Sequence, residues 1–152
     1  MVRSEGDPVP DVSARNQNGE TVSIAGTDPT VLYFYPRDDT PGCSIEARQF
    51  QAELETFDEA GVTVYGVSTD DVDSHAAFCS NEGLEFDLLA DPGGDLVEAF
   101  DVETRGDAAV RTTFVLANGA VWRVYENVSP DGHARSVLGD LLDAGLVELP
   151  DF

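Results

Sequence analysis

Runs of β-branched and aromatic residues alternate with helix-length stretches along most of this chain. Such runs are typical of buried strands, because branched and aromatic side chains pack well on a pleated surface. We predict strands at residues 21–24, 30–35, 62–68, 86–90, 112–116 and 120–125. The last two flank Ala117-Asn118-Gly119, and an Asn-Gly pair between two strand-like runs indicates a hairpin.

Helical periodicity fills the intervals between these runs. After the second strand, Phe50, Leu54 and Phe57 recur at i, i+4 and i+7, which places them on one face of a helix from residue 43 to about 60. Gly61 is suited to end that helix. The next helix is predicted over residues 72–81, where Cys79 follows Val72 and Ala76 at the same spacing; Asp71 or Asp73 can cap it and Gly83 can close it.

The order of elements predicts an α/β fold. A short helix through residue 100 and a closing helix at 133–144 complete the pattern. Strands and helices first alternate, and a hairpin and a last helix follow, so we expect a central mixed sheet with helices on both faces, a thioredoxin-like layout. A chain of 152 residues is long enough to bury one sizeable core, and we expect residues 1–152 to form a single domain.

The charge of the chain is extreme. Thirty acidic residues stand against eight basic ones, all of them Arg, for a net charge of −22. So negative a surface repels nucleic acid and anionic membranes, and we expect neither as a partner. A second hypothesis is adaptation to a salt-rich, haloarchaeal-like cytoplasm, where carboxylate repulsion is screened. No apolar signal-peptide core and no run of 18 apolar residues is present, so a cytoplasmic location is expected.

Cys43 is the residue with the clearest chemistry. A strand precedes it, Thr40 can cap the helix that follows, and Pro41 suits the first helical position. Cys43 then lies in the first turn, where free backbone N–H groups and the helix dipole stabilise a thiolate. Thiolates are the reactive form of cysteine, so the local pattern predicts a reactive thiol.

The residues around Cys43 resemble the active-site motif of peroxiredoxins, Pro36-x3-Thr40-x2-Cys43. The longer string from Tyr35 to Glu46 resembles the peroxiredoxin Q subfamily, also called bacterioferritin comigratory proteins. Three further blocks of the sequence extend the resemblance: Ser74-His75-x2-Phe78, Leu88-Leu89-Ala90-Asp91-Pro92 and Arg111-Thr112-Thr113-Phe114-Val115. The resemblance implies a thioredoxin-like fold and a thiol-dependent peroxidase that needs no cofactor.

The resemblance also implies a role for each matching residue. Cys43 is expected to attack the peroxide, and Arg111 to favour both the thiolate and the leaving oxygen, since a guanidinium offers several donors in a fixed fork. Thr40 would orient the peroxide and Pro36 would shield the sulfur from water. We expect Glu46 to orient Arg111 or the loop rather than to take part in catalysis.

A peroxiredoxin must also reduce the sulfenic acid that forms on Cys43. Many peroxiredoxin Q sequences carry a resolving cysteine five residues after the first, but that position is Arg48 here. Cys79 is the remaining candidate, and the resemblance supports it, because another branch of the subfamily has its resolving cysteine in the next helix. A disulfide would then require the first turn of the Cys43 helix to unwind. Cys79 can also be a plain core residue.

Other interpretations stay open at this point. The chain can be a single-cysteine peroxidase resolved by an external thiol, or a non-enzymatic redox sensor. We expect hydrogen peroxide or alkyl hydroperoxides as substrate, a thioredoxin- or glutaredoxin-like reductant, and a monomer. We interpret His75 as a helix-start residue and His133 as a surface residue, and no residues have metal-ligand spacing.

Overall fold

A seven-stranded mixed sheet organises the computed structural model, which describes residues 4–148. The strands are β1 (Val12–Arg15), β2 (Thr21–Ile24), β3 (Thr30–Phe34), β4 (Thr63–Ser68), β5 (Asp87–Ala90), β6 (Thr104–Arg105), β7 (Ala108–Ala109), β8 (Thr112–Ala117) and β9 (Ala120–Glu126). The helices are α1 (Pro41–Glu59), α2 (Val72–Glu82), α3 (Asp95–Ala99) and α4 (His133–Asp143). Within residues 4–148, no helix is both long and apolar enough to cross a membrane.

The sheet has β3 near its centre. The strand order is β2-β1-β5-β4-β3-β8-β9. Strand β3 runs parallel to β4 and antiparallel to β8, and β4 runs parallel to β5. The β8–β9 hairpin turns at Asn118-Gly119 with positive φ at both residues, as the sequence predicts. The predicted mixed sheet is confirmed.

Successive side chains of β3 point to opposite faces of the sheet, and each face has its own core. Val31 and Tyr33 pack in a cluster with residues of α1, α2 and α4, whereas Leu32 and Phe34 pack with residues of α3. Phe50 of α1 stacks on the Tyr33 ring at a centroid distance of 4.4 Å. Helices therefore cover both faces, and burial of each large side chain stabilises the fold by about 1.5–3 kcal/mol.

Helix α1 begins at Pro41, the residue that the sequence assigns to the first helical position. Thr40 occupies the cap position with extended backbone, and Pro41 is the first helical residue. The expected side-chain cap is not formed, because the Thr40 hydroxyl lies 3.4 Å from the Arg37 carbonyl instead of on a helix N–H. Cys43 stays in the first turn, as predicted.

Helix α2 buries a different stripe from the predicted one. Its buried residues are His75, Phe78 and Cys79, while Ala76 is exposed. Asp71 is the cap, accepting a hydrogen bond from the Ser74 N–H at 2.8 Å. The apolar spacing of Val72, Ala76 and Cys79 did not predict the buried face correctly, because the polar His75 lies in the core.

Two further predictions need correction. His133 is not a surface residue: it is 8% exposed, and its Nε2 lies 2.8 Å from the Thr113 hydroxyl. Burial lowers the pKa of His133 to about 4. Strand β1 was not predicted, since its alternating pattern covers only four residues and includes the charged Arg15.

Candidate active site

The register of the sheet brings two distant segments together. Phe34, the last residue of β3, pairs with Thr112, the first residue of β8. Arg111, which precedes Thr112, therefore stands where the chain leaves β3 and enters the loop to α1. This antiparallel pairing brings Arg111 close to Cys43, although the two residues are 68 positions apart in the sequence.

Cys43, Arg111 and Glu46 form one contact group. The Arg111 Nη2 donates to Cys43 Sγ at 3.2 Å, and its Nη1 donates to Glu46 Oε1 at 2.9 Å. Cys43 and Glu46 are each 1% exposed, and the Arg111 side chain is 16% exposed. One guanidinium fork thus binds a carboxylate with one arm and a sulfur with the other, where little water competes.

Gly42 is the residue that permits this approach. A Cβ on Gly42 would lie 2.7 Å from Arg111 Nη2, too close for the guanidinium to stay in place. The backbone of Gly42 is helical, so space for Arg111, and not an unusual φ, accounts for the glycine.

Burial changes the protonation of Glu46. Loss of hydration raises the pKa of Glu46 to about 7, although the nearby Arg111 acts in the opposite direction. Its Oε2 has no hydrogen-bond partner among the described residues. Glu46 therefore reaches Arg111 through a single oxygen, and it touches the guanidinium rather than the sulfur.

Pro36 and Arg111, the residue that donates to the Cys43 sulfur, border a cavity of about 330 Å³. Its wall also includes small apolar residues, a second arginine and an asparagine: Ala108, Ala109, Val110, Val128, Arg105 and Asn127. Thr40 is half-buried, and within residues 4–148 its hydroxyl makes only the long contact to Arg37 described above, so it can turn to another partner. The cavity is large enough for a small organic molecule to reach the guanidinium.

Cys79 lies on α2 and is 8% exposed. Both cysteines are free thiols, and both belong to the cluster between α1, α2 and α4. Burial, together with the negative charges of Asp38 and Asp87, raises the pKa of Cys79 to about 11. In this arrangement Cys79 is a protonated, unreactive thiol.

A buried polar network beside the site was not predicted. Asp38 Oδ2 lies 2.7 Å from His75 Nδ1 and 2.8 Å from the Ser74 hydroxyl, and Asp38 Oδ1 accepts from the Tyr35 hydroxyl at 2.5 Å. Asp38, Asp70 and His75 bring donor atoms within 4.8 Å of one another, a grouping that could hold a metal ion. Asp38 and His75 already bond to each other, and we interpret the group as a hydrogen-bond network. Apart from Asp70, its side chains belong to two blocks that carry the family resemblance, the string from Tyr35 to Glu46 and the Ser74-His75 pair, but nothing in either block shows that the two meet.

Comparison with known proteins gives a consistent result. The model of the AhpC/TSA family matches residues 5–123. Peroxiredoxin Bcp of Xanthomonas campestris is 41% identical over 119 residues, which cover 73% of this chain and 74% of that protein. The chloroplastic Peroxiredoxin Q of Arabidopsis thaliana is 39% identical over 141 residues, covering 89% of this chain and 65% of that protein.

Solved structures share the fold. Peroxidoxin BcpB from Mycobacterium tuberculosis superposes with a TM-score of 0.82 at 33% identity, over 91% of this chain and 96% of that one. The bacterioferritin comigratory protein of Xanthomonas campestris, described for its alkyl peroxide reduction activity, gives 0.83 at 32% identity, over 95% and 98%. The predicted thioredoxin-like fold is confirmed by these neighbours.

Proposed function

This chain belongs to the AhpC/TSA family, and we propose that it is a thiol-dependent peroxidase of the peroxiredoxin Q type with Cys43 as the attacking sulfur. The observation that carries the proposal is the Arg111 fork, which reaches Cys43 and Glu46 together. Preorganised donors aimed at developing charge are commonly the largest contribution to catalysis.

The reaction follows from this contact group. The Cys43 thiolate attacks one oxygen of the peroxide, so that an S–O bond forms and the O–O bond breaks. The second oxygen leaves with the electron pair, takes a proton and becomes an alcohol or water, while the sulfur is oxidised to sulfenic acid. Arg111 lies close enough to the sulfur to stabilise both the thiolate and the leaving oxygen, and Glu46 holds the guanidinium in place. We assign Thr40 to orienting the peroxide and Pro36 to shielding the sulfur.

The cavity beside Arg111 favours alkyl hydroperoxides as substrates alongside hydrogen peroxide. Its alanine and valine side chains offer an apolar wall to an alkyl chain, while Arg111 faces the reacting end. Filling the cavity with Val128→Trp should lower kcat/KM for cumene hydroperoxide by at least about tenfold, and that for hydrogen peroxide much less, since only the larger substrate occupies the space. An equal loss for both substrates would argue against this binding mode.

Cys79 is proposed as the resolving thiol. It condenses with the Cys43 sulfenic acid, forming an S–S bond and releasing water, and a thioredoxin- or glutaredoxin-type dithiol then reduces the disulfide. Burial and a raised pKa make Cys79 inert in the folded arrangement, so local opening must come first. We propose that the first turn of α1 unwinds.

Peroxide turnover with a thioredoxin system in wild type, Cys43→Ser and Cys79→Ser tests both roles. We expect Cys43→Ser to abolish peroxide consumption and Cys79→Ser to keep the first turnover but lose recycling. Mass spectrometry after one equivalent of peroxide should show a Cys43–Cys79 disulfide. A sulfenic acid on Cys43 with Cys79 still a thiol would instead identify a single-cysteine peroxidase, and slow peroxide consumption would favour a redox sensor.

A further inference from the structure

The Asp38 carboxylate joins the active-site loop to the helix that carries Cys79. Asp38 lies in the loop between β3 and α1, and its side chain is 4% exposed. Among the described residues, three side chains donate to it: Ser74 and His75 belong to α2, and Tyr35 directly follows β3. The loop before Cys43 is therefore bonded directly to α2.

His75 is fixed at both ends of its ring. Its Nδ1 lies 2.7 Å from Asp38, and its Nε2 lies 3.0 Å from the Leu89 carbonyl of β5. The side chain is 0% exposed, and Cys79 follows four residues later, on the same buried face of α2. A shift of the loop must move or release His75, and with it the part of α2 that buries Cys79.

Among the described residues, the side-chain hydrogen bonds that join α1 to α2 and to the segment just after it are exposed. Arg48 pairs with Glu82 near the end of α2, and the Arg48 side chain is 64% exposed. Surface ion pairs contribute little, whereas buried hydrogen bonds to ionised groups contribute more and leave costly unpaired atoms when one partner is removed. The Asp38 connection is the stronger of the two.

We propose that Asp38, Ser74 and His75 are positioning residues that hold the Cys43 loop onto α2, and that breaking this connection limits the meeting of Cys43 with Cys79. The kinetic part of this proposal rests on the proposed role of Cys79. In that step, the Cys79 thiol displaces the hydroxyl of the Cys43 sulfenic acid and water leaves. Until the connection opens, the sulfenic acid stays exposed to a second peroxide, which would oxidise it to sulfinic acid.

Labelling of Cys79 with a thiol reagent measures the opening without any peroxide chemistry. In a Cys43→Ser background, His75→Gln places its amide near the Nε2 position and loses the bond to Asp38. His75→Asn places its amide near Nδ1 and should keep that bond. We expect Cys79 to react at least about tenfold faster in His75→Gln than in the parent, and to return toward the parent rate in His75→Asn. Ser74→Ala, which changes no charge, should give a smaller increase.

His133→Asn is the matched control, because His133 is also buried and hydrogen-bonded but lies on α4. Its bond to the Thr113 hydroxyl is made by Nε2, a position that the asparagine amide does not reach, so this variant also loses one buried bond. Similar increases in Cys79 labelling in His133→Asn and His75→Gln would mean a general loss of stability and would overturn the proposal. An unchanged labelling rate in His75→Gln would do the same.

Peroxide then tests the kinetic part, in chains that retain both cysteines. His75→Gln should form the Cys43–Cys79 disulfide faster than wild type by a similar factor and accumulate less sulfinic acid. Faster labelling with an unchanged rate of disulfide formation would overturn the claim that this opening is limiting. If wild type forms no such disulfide at all, the proposed resolving role of Cys79 fails, while the labelling rates still decide whether the connection holds α2.

Discussion

Replacing Gly42 by alanine should separate activity from stability. The added methyl group would lie 2.7 Å from Arg111 Nη2, so the guanidinium must move away from Cys43. That atom is the far end of a flexible side chain, and its displacement costs the fold little. Alanine is also favoured over glycine in helices, by up to about 1 kcal/mol. We expect Gly42→Ala to be as stable as wild type or slightly more stable.

The loss of activity can be estimated from the contact that is broken. A hydrogen bond to an ionised group contributes about 1.5–3 kcal/mol, and 1.4 kcal/mol corresponds to a factor of ten. The rate constant of Cys43 with hydrogen peroxide should therefore fall by about 10- to 150-fold. Stopped-flow measurement of the first turnover gives this rate, and urea denaturation gives the free energy of unfolding.

Gly139→Ala is the control for the glycine-to-alanine change. Gly139 lies in α4, and a Cβ there meets no atom within 4 Å. It should become more stable and keep the wild-type peroxide rate. A wild-type rate in Gly42→Ala would show that the Arg111–Cys43 contact does not set the reactivity of the sulfur. Parallel losses of rate and stability would show that Gly42 acts through the fold.

Three further predictions concern charge. Arg111→Lys should slow the first turnover by at least about tenfold in stopped-flow measurements, because an ammonium lacks the planar fork that reaches Cys43 and Glu46 together. A wild-type rate would show that simultaneous contact with both groups is not required for activity. Because burial raises the pKa of Glu46 to about 7, the carboxyl group loses its proton at lower pH in the unfolded chain than in the folded one. The free energy of unfolding of wild type should therefore fall relative to that of Glu46→Gln as the pH rises from about 4.5 to about 7, by up to about 3 kcal/mol. Urea titrations at a series of pH values measure this difference. A constant difference between the two would contradict the raised pKa. Finally, with a net charge of −22, the melting temperature should be higher in about 3 M than in about 0.05 M KCl, and equal values would refute salt adaptation.

Local patterns were sufficient for most of the fold. The stripe of Phe50, Leu54 and Phe57 and the Asn118-Gly119 turn each depend on neighbours along the chain, and the structure has them where the sequence predicts. Thr40 occupies the predicted cap position, but its side chain does not make the capping hydrogen bond, because its hydroxyl lies nearer the Arg37 carbonyl. The residue type alone does not determine which partner the hydroxyl takes. Strand β1 was not predicted because its alternation of apolar and polar residues extends over only four positions, too few to distinguish it from a loop.

The candidate site required information that the sequence carries in two different ways. The positions of Cys43, Thr40 and Pro36 follow from one short segment, but the position of Arg111 depends on the register of β8 against β3. Only the resemblance to a family supplied that long-range pairing. The geometry then added Gly42, whose missing side chain is meaningful only once Arg111 is known to lie against it.

His75 shows most clearly why the remaining contacts could not be predicted. A histidine near a helix start is usually solvated, and no pattern distinguishes one that is 0% exposed. Its burial depends on partners from two separate parts of the fold, namely Tyr35 and Asp38 from the loop after β3 and the Leu89 carbonyl from β5. These residues lie in separate blocks of the sequence, and no local pattern shows that they meet. Only their convergence makes a buried polar side chain stable, because every ring nitrogen then has a partner. The same convergence ties the attacking loop to α2, so the least predictable contacts of this fold are those that we expect to govern how the two cysteines meet.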